Sequence, residues 1–404
     1  MKKPGLLLTL ILWSITGWSD DGYRLWLKYD KIQNVTVLSK YKNAIGTVYL
    51  NTTPSPIATN AIQELRLGLE GLLGKKITES KSISSSTQII LSIIKPNEKV
   101  GHEEGYHVYQ DKLNIRIDAL TDRGLLYGAF ALLRCVQTHK SLDKLNFNES
   151  PKINLRLLNH WDNVNGTIER GYAGASLWKW YDLPEVLDPR YTDYARANAS
   201  IGINGTVVNN VNASARFLDK EYMVKVAALA AVFRKYGIKT YMSIRFTAPQ
   251  HLGKLKTADP LDPAVRQWWK DKVNEIYEYI PDFGGFLVKA NSEGEPGPQD
   301  YQRTHADGAN LLAEALAPHG GIVMWRAFVY KANPKNDRAA ESFNEFKPLD
   351  GQFLENVIVQ VKNGPIDFQP REPFHPLFGA MPATPLMMEF QITQEYLGFA
   401  THWV

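Results

Sequence analysis

The chain has 404 residues, 44% of them hydrophobic and 22% charged. That composition excludes general disorder, collagen-like repeats and a multi-span membrane protein, and the length suggests two or three domains. Lys and Arg total 46 against 42 for Asp and Glu, a net charge of +4 that gives no support for a nucleic-acid partner. The single cysteine, Cys135, excludes an intrachain disulfide and a Cys-based zinc site.

Met1-Lys2-Lys3 is a short basic start, followed by an apolar run from Gly5 to Trp18 and small residues at Gly17 and Ser19. This pattern predicts a signal peptide over residues 1–19, cleaved after Ser19, with a buried N-terminal helix as the alternative. The expected location is therefore secreted or periplasmic. No other stretch is apolar enough to span a bilayer, so no membrane association is expected after cleavage.

Residues 20–150 mix strands and helices. Gly46–Leu50 reads as a strand and Ala58–Leu73 as a helix, with Ile62, Leu65, Leu69, Leu72 and Leu73 at helical spacing. Gln88–Ile94 is a short β-rich run, and Tyr106–Ile117 reads as a hairpin turning at Asp111-Lys112. Thr121–Gln137 reads as a helix capped by Thr121, with Gly124 and Gly128 allowing close approach of a neighbour. The expectation is a small α/β domain without a catalytic constellation.

From residue 151 to 404 short apolar strands alternate with amphipathic helices. The strands are expected at 155–158, 205–208, 239–244, 285–288, 321–324, 357–361 and 386–390. Helices are expected at 221–236, 263–280 and 302–316, among others. Parallel βα units of this length indicate a (β/α)8 TIM barrel. Seven strands are visible and the sequence stops soon after the seventh, so the expected fold is α/β, a small α/β domain followed by a TIM barrel truncated after its seventh strand.

Polar residues follow nearly every candidate strand: His160, Trp161 and Asp162; Asn209 and Asn210; Arg245; Lys289 and Glu293; Arg326; Lys362 and Asp367; Glu395. In a barrel these strand ends form the active site. Glu293, Asp367 and Glu395 could supply the acid and the opposing carboxylate that glycoside hydrolysis requires. Lys289, Arg326 and Lys362 could hold an anionic group. The alternative is a network of structural salt bridges at the barrel mouth. His160 and His305 lack the spacing of metal ligands. No Walker or GxGxxG pattern follows a strand. Neither a metal nor a cofactor is therefore expected.

The runs Val288–Pro298 (VKANSEGEPGP), Gln360–Glu372 (QVKNGPIDFQPRE) and Glu389–Gly398 (EFQITQEYLG) are long and specific. With Asn159–Asn163 (NHWDN) and Ile203–Val211 (INGTVVNNV), they closely resemble the α-glucuronidases of glycoside hydrolase family 67, over the chain from about residue 22 to its end. The resemblance implies an α/β N-terminal domain, a (β/α)8 barrel and a helical C-terminal domain. It implies an inverting hydrolase that removes (4-O-methyl-)D-glucuronic acid, α-1,2-linked to the non-reducing-end xylose of xylo-oligosaccharides. By the same resemblance Glu293 is the general acid, and Asp367 and Glu395 position and deprotonate water. Lys289, Arg326 and Lys362 surround the uronic carboxylate. Trp161 and Val211 form the apolar wall beside the 4-O-methyl group. Glu295, two residues past Glu293, is expected to face elsewhere.

The expected partners are aldouronic oligosaccharides from glucuronoxylan, with a homodimer only where the C-terminal domain is present. The chain alone is expected to be weakly active or inactive until that sequence is restored. A non-catalytic carbohydrate-binding protein on the same barrel, an inactive fragment and a retaining glycosidase stand as competing readings.

Overall fold

The computed structural model describes residues 20–84, 88–171, 173–291, 294–328, 337–364 and 373–391. The expected signal peptide, residues 1–19, lies outside them. The chain divides into two compact units, one holding residues up to 54 and 61–149, the other residues 55–60 and 150 onward.

The first unit contains the strands β1 (Thr47–Asn51), β2 (Gln88–Ile93), β3 (Tyr106–Asp111), β4 (Asn114–Ala119) and β5 (Asn146–Glu149). They form one sheet in the order β1-β2-β4-β3-β5. β1, β2 and β4 run parallel, while β3 is antiparallel to both β4 and β5. The β3–β4 hairpin turns where predicted, with Lys112 in the left-handed region. The helices are α1 (Val35–Ala44), α2 (Pro56–Leu73), of which residues 61–73 belong to this unit, and α3 (Asp122–Gln137). Thr121 caps α3 by accepting from the Gly124 N–H. A Cβ on Gly128 of α3 would lie 2.5 Å from Ile117 Cγ2, so glycine there lets the helix sit directly on β4.

The second unit carries β6 (Leu157–Asn159), β7 (Gly205–Val207), β8 (Lys239–Arg245), β9 (Gly285–Lys289), β10 (Ile322–Arg326), β11 (Val357–Lys362) and β12 (Leu386–Glu389). The seven strands lie side by side in chain order, and every neighbouring pair is parallel. Helices occupy the connections, among them α4 (Pro189–Ser200), α5 (Lys220–Arg234), α6 (Pro263–Tyr279), α7 (His305–Leu316) and α8 (Arg338–Phe346). β9 is buried at every position, as a parallel strand covered on both faces should be.

The sheet curls around a common interior. Val207, Tyr241, Leu287 and Met324, from four central strands, form one buried cluster, and Leu157 of β6 and Met387 of β12 pack against it. Strands at opposite ends of the sheet order thus share a core, as in a (β/α)8-type barrel. The fold class read from the sequence is the one observed.

Candidate active site

Side chains on a strand alternate between faces, so the residue two places beyond an interior position also points inward. From Leu157, Val207, Tyr241, Leu287, Met324 and Met387 this step reaches Asn159, Asn209, Ser243, Lys289, Arg326 and Glu389. The apolar barrel interior therefore gives way to a polar layer at the C-terminal ends of the strands. Register sets the height of its members: Arg245 lies opposite Lys289, Arg326 opposite Gln360, and Lys362 opposite Glu389.

On one side of the layer is a buried charge cluster. Arg326 Nη2 donates to both carboxylate oxygens of Glu389 at 2.7 and 2.9 Å. Its Nε reaches Glu389 Oε2 and Gln360 Oε1, both at 3.1 Å. Nη1 makes no hydrogen bond to a described residue. The Arg326 guanidinium lies 3.7 Å from the centre of the Phe328 ring and Lys362 Nζ lies 4.4 Å from it. Lys289, Arg326 and Lys362 are all buried, which long cations tolerate only when their charge is matched.

Behind this cluster His375 is buried and fixed as the neutral Nε2–H tautomer. Its Nδ1 accepts from the Leu377 N–H at 3.2 Å, and its Nε2 faces Ser342 Oγ at 2.9 Å. Burial first, and the charge of Lys362 second, lower its pKa from 6.5 to about 4. The folded protein therefore keeps this ring neutral while the unfolded chain takes up a proton below about pH 6.5. Stability is unaffected above that pH, falls progressively as pH drops toward 4, and levels off below. We expect a loss of roughly 1–2 kcal/mol over that window after discounting for solvent screening. Urea unfolding from pH 7 to pH 4 measures it, and His375→Gln should flatten this part of the profile.

On the other side lies a pocket of about 400 Å³ lined by Arg170, Val211, Asn212, Ala213, Ile244, Arg245, Lys289, Gly294 and Glu295. Arg245 Nε pairs with Glu295 Oε2 at 2.9 Å. Glu295 Oε1 accepts from the Thr247 N–H at 3.2 Å and from Thr247 Oγ1 at 2.8 Å. Arg170, at the rim, lies 3.6 Å from buried Glu169, which also accepts from Asn210 Nδ2 at 3.1 Å.

Val211 and Lys289 line the pocket, and Trp161 packs against the cluster that contains Val211. Arg326 and Lys362 stand together on Phe328. Glu293, Asp367 and Glu395 lie outside the described residues. Glu295, which was expected to face elsewhere, lines the pocket, two residues past Glu293 and directly after Gly294, whose φ is +84°. His160 is structural, its Nε2 2.8 Å from the Tyr194 hydroxyl and its Nδ1 3.4 Å from Asp162. Likewise His305 accepts from Trp325 Nε1 and faces Glu345, tying α7 and α8 to β10. Glu389 escaped the sequence reading. A lone carboxylate ending the apolar run Leu386-Met-Met was the available signal.

Fold and site together define a parallel β/α-barrel protein with a cation-lined polar pocket at the C-terminal ends of its strands. The N-terminus of glycosyl hydrolase family 67 matches residues 25–132 and the middle domain of that family matches residues 135–404. The chain belongs to glycosyl hydrolase family 67. It is 41% identical to a probable alpha-glucuronidase A of Aspergillus terreus, over 100% of this chain and 50% of that protein. It is 41% identical to alpha-glucuronidase A of Emericella nidulans, over 99% of this chain and 50% of that one. The chain thus spans about half the length of the curated relatives it matches. Among solved structures, a GH138 enzyme targeting pectin rhamnogalacturonan II superposes with a TM-score of 0.53 at 15% identity, covering 79% of this chain and 38% of that one. A GH115 4-O-methyl-alpha-glucuronidase superposes with a TM-score of 0.52 at 13% identity, covering 79% of this chain and 45% of that one. At such identities the likeness is one of fold.

Proposed function

We propose that this chain carries the barrel site of an inverting α-glucuronidase. Its substrates are short xylo-oligosaccharides, from which it releases (4-O-methyl-)D-glucuronic acid α-1,2-linked to the non-reducing-end xylose. It works outside the cytoplasm, reached by way of the N-terminal signal. Two alpha-glucuronidase relatives at 41% identity support the activity.

The observation that carries the reading is the set of buried cations on three consecutive strands, Lys289, Arg326 and Lys362. One edge of Arg326 is taken by Glu389 and Gln360, which aims the guanidinium and leaves Nη1 as a donor. A uronic carboxylate supplies the negative charge and the acceptors that such a cluster recognises. In this reading Glu293 protonates the departing xylose oxygen. Asp367 and Glu395 orient and deprotonate a water on the opposite face of the sugar ring, which inverts the anomeric carbon. Trp161 and Val211 provide the apolar surface for the 4-O-methyl group. No cofactor takes part in these steps.

The test is incubation of the protein with an aldouronic oligosaccharide, followed by proton NMR, with Glu293→Ala as the blank. Free uronic acid should appear first as the β-anomer and be absent from the blank. Release of the α-anomer first would rule out inversion. Binding of the oligosaccharide without release would favour the carbohydrate-binding alternative.

A further inference from the structure

We infer that Arg245 is a sugar-binding residue whose outer guanidinium edge holds two neighbouring hydroxyl groups of a pyranose ring in the pocket beside β8 and β9. The inference rests on the glycosidase reading and names a contact within the same site. Arg245 is the last residue of β8, in register with Lys289, and it lines the pocket with Asn212, Lys289 and Glu295.

Its inner nitrogen is fully used. Nε lies 2.9 Å from Glu295 Oε2 and 3.1 Å from Thr247 Oγ1. Thr247 in turn donates to Glu295 through both its backbone N–H and its hydroxyl. This closed triangle of Arg245, Thr247 and Glu295 fixes the plane of the guanidinium. The outer nitrogens, Nη1 and Nη2, make no hydrogen bond to any described residue. A positioned pair of parallel N–H groups in a pocket is a fork waiting for two acceptors.

The charge of Glu295 selects the kind of acceptor. A carboxylate placed on the outer edge would meet a guanidinium paired one-to-one at 2.9 Å, whereas the Arg326–Glu389 pair has a further buried cation on each flanking strand, Lys289 and Lys362. Neutral hydroxyl oxygens lose nothing from that pairing, and the exposed side chain of Asn212 adds a second uncharged polar group. The division of labour is then clear: the buried cations of β9 to β11 receive the anion, and the Arg245 fork receives hydroxyls. Two rings could supply them, the glucuronyl ring or the sugar to which it is linked.

Titrations of the purified protein with D-glucuronate and, separately, with xylobiose distinguish the two. Arg245→Gln should weaken binding of one ligand by roughly tenfold, the loss expected for a charge-assisted hydrogen bond, and leave the other within about twofold. The weakened ligand identifies the ring. Arg245→Lys, which keeps the charge and loses the fork, should be as weak as Arg245→Gln. Glu295→Gln, which keeps the fork and loosens its orientation, should fall between. Unfolding midpoints of the three variants control for structural damage.

Full affinity in Arg245→Lys, or equal weakening of both ligands, overturns the inference. Unchanged binding in Arg245→Gln overturns it and leaves the glycosidase reading intact. An unsubstituted protein that binds neither sugar and releases no uronic acid removes both.

Discussion

Arg326→Met is expected to destabilise the folded protein by roughly 3–5 kcal/mol, the range for breaking a buried ion pair from one side. Its partner Glu389 has a side chain only 8% exposed and would be left as an uncompensated charge. The geometry adds to the cost. Arg326 ends β10 and Glu389 ends β12, so the pair reaches across β11, where Gln360 Oε1 accepts from Arg326 Nε. Three neighbouring strands are clamped at the level of the site. The double variant Arg326→Met with Glu389→Met removes both charges and should recover most of the loss, because two desolvated ions give way to apolar contact. Chemical denaturation of the two single variants and the double variant measures the coupling. A single-variant loss below about 1 kcal/mol would mean that the pair does not hold these strands together. The double variant should nevertheless lose uronate binding, since the residue removed is the one whose Nη1 faces the substrate in the proposed site.

The seven barrel strands were legible because each is a short apolar run, and their expected bounds differ from the observed ones by two residues or fewer. The differences have a physical cause. Apolar content ends at Val288, Trp325 and Val361, whereas the hydrogen-bonded strands continue to Lys289, Arg326 and Lys362. A barrel interior turns polar before its strands end, so hydrophobicity stops short of the strand. Helix α4 was not legible: in Pro189–Ser200 only Tyr191, Ala195, Asn198 and Ala199 are buried, too weak a stripe to stand out.

Partners were the least legible feature. The residues that could hold an anion could be listed from strand ends, but not which carboxylate each one meets. Arg326 and Glu389 are 63 positions apart and meet only because β10, β11 and β12 share a register. Arg245, at the end of β8, meets Glu295, in the segment after β9. Pairings of this kind belong to topology, which local sequence pattern does not encode.

Glu293→Gln should reduce uronic-acid release from an aldouronic oligosaccharide by roughly 10²–10⁴-fold, the contribution of a positioned general acid. The informative quantity is how that loss depends on the leaving group. A xylose hydroxyl is a poor leaving group and needs its proton delivered as the bond breaks, whereas 4-nitrophenolate departs readily without one. If Glu293 is the acid, the Gln variant loses far less activity toward a 4-nitrophenyl α-glucuronide than toward the oligosaccharide. Asp367→Asn and Glu395→Gln should behave differently. Their proposed roles concern the attacking water, which is common to both substrates, so each should lower the two rates by similar factors. The larger loss of the two identifies the carboxylate that takes the proton, and the smaller the one that orients the water. Equal losses on both substrates for Glu293→Gln would remove it as the acid. A leaving-group-dependent loss for Asp367→Asn or Glu395→Gln would transfer that role to the residue concerned.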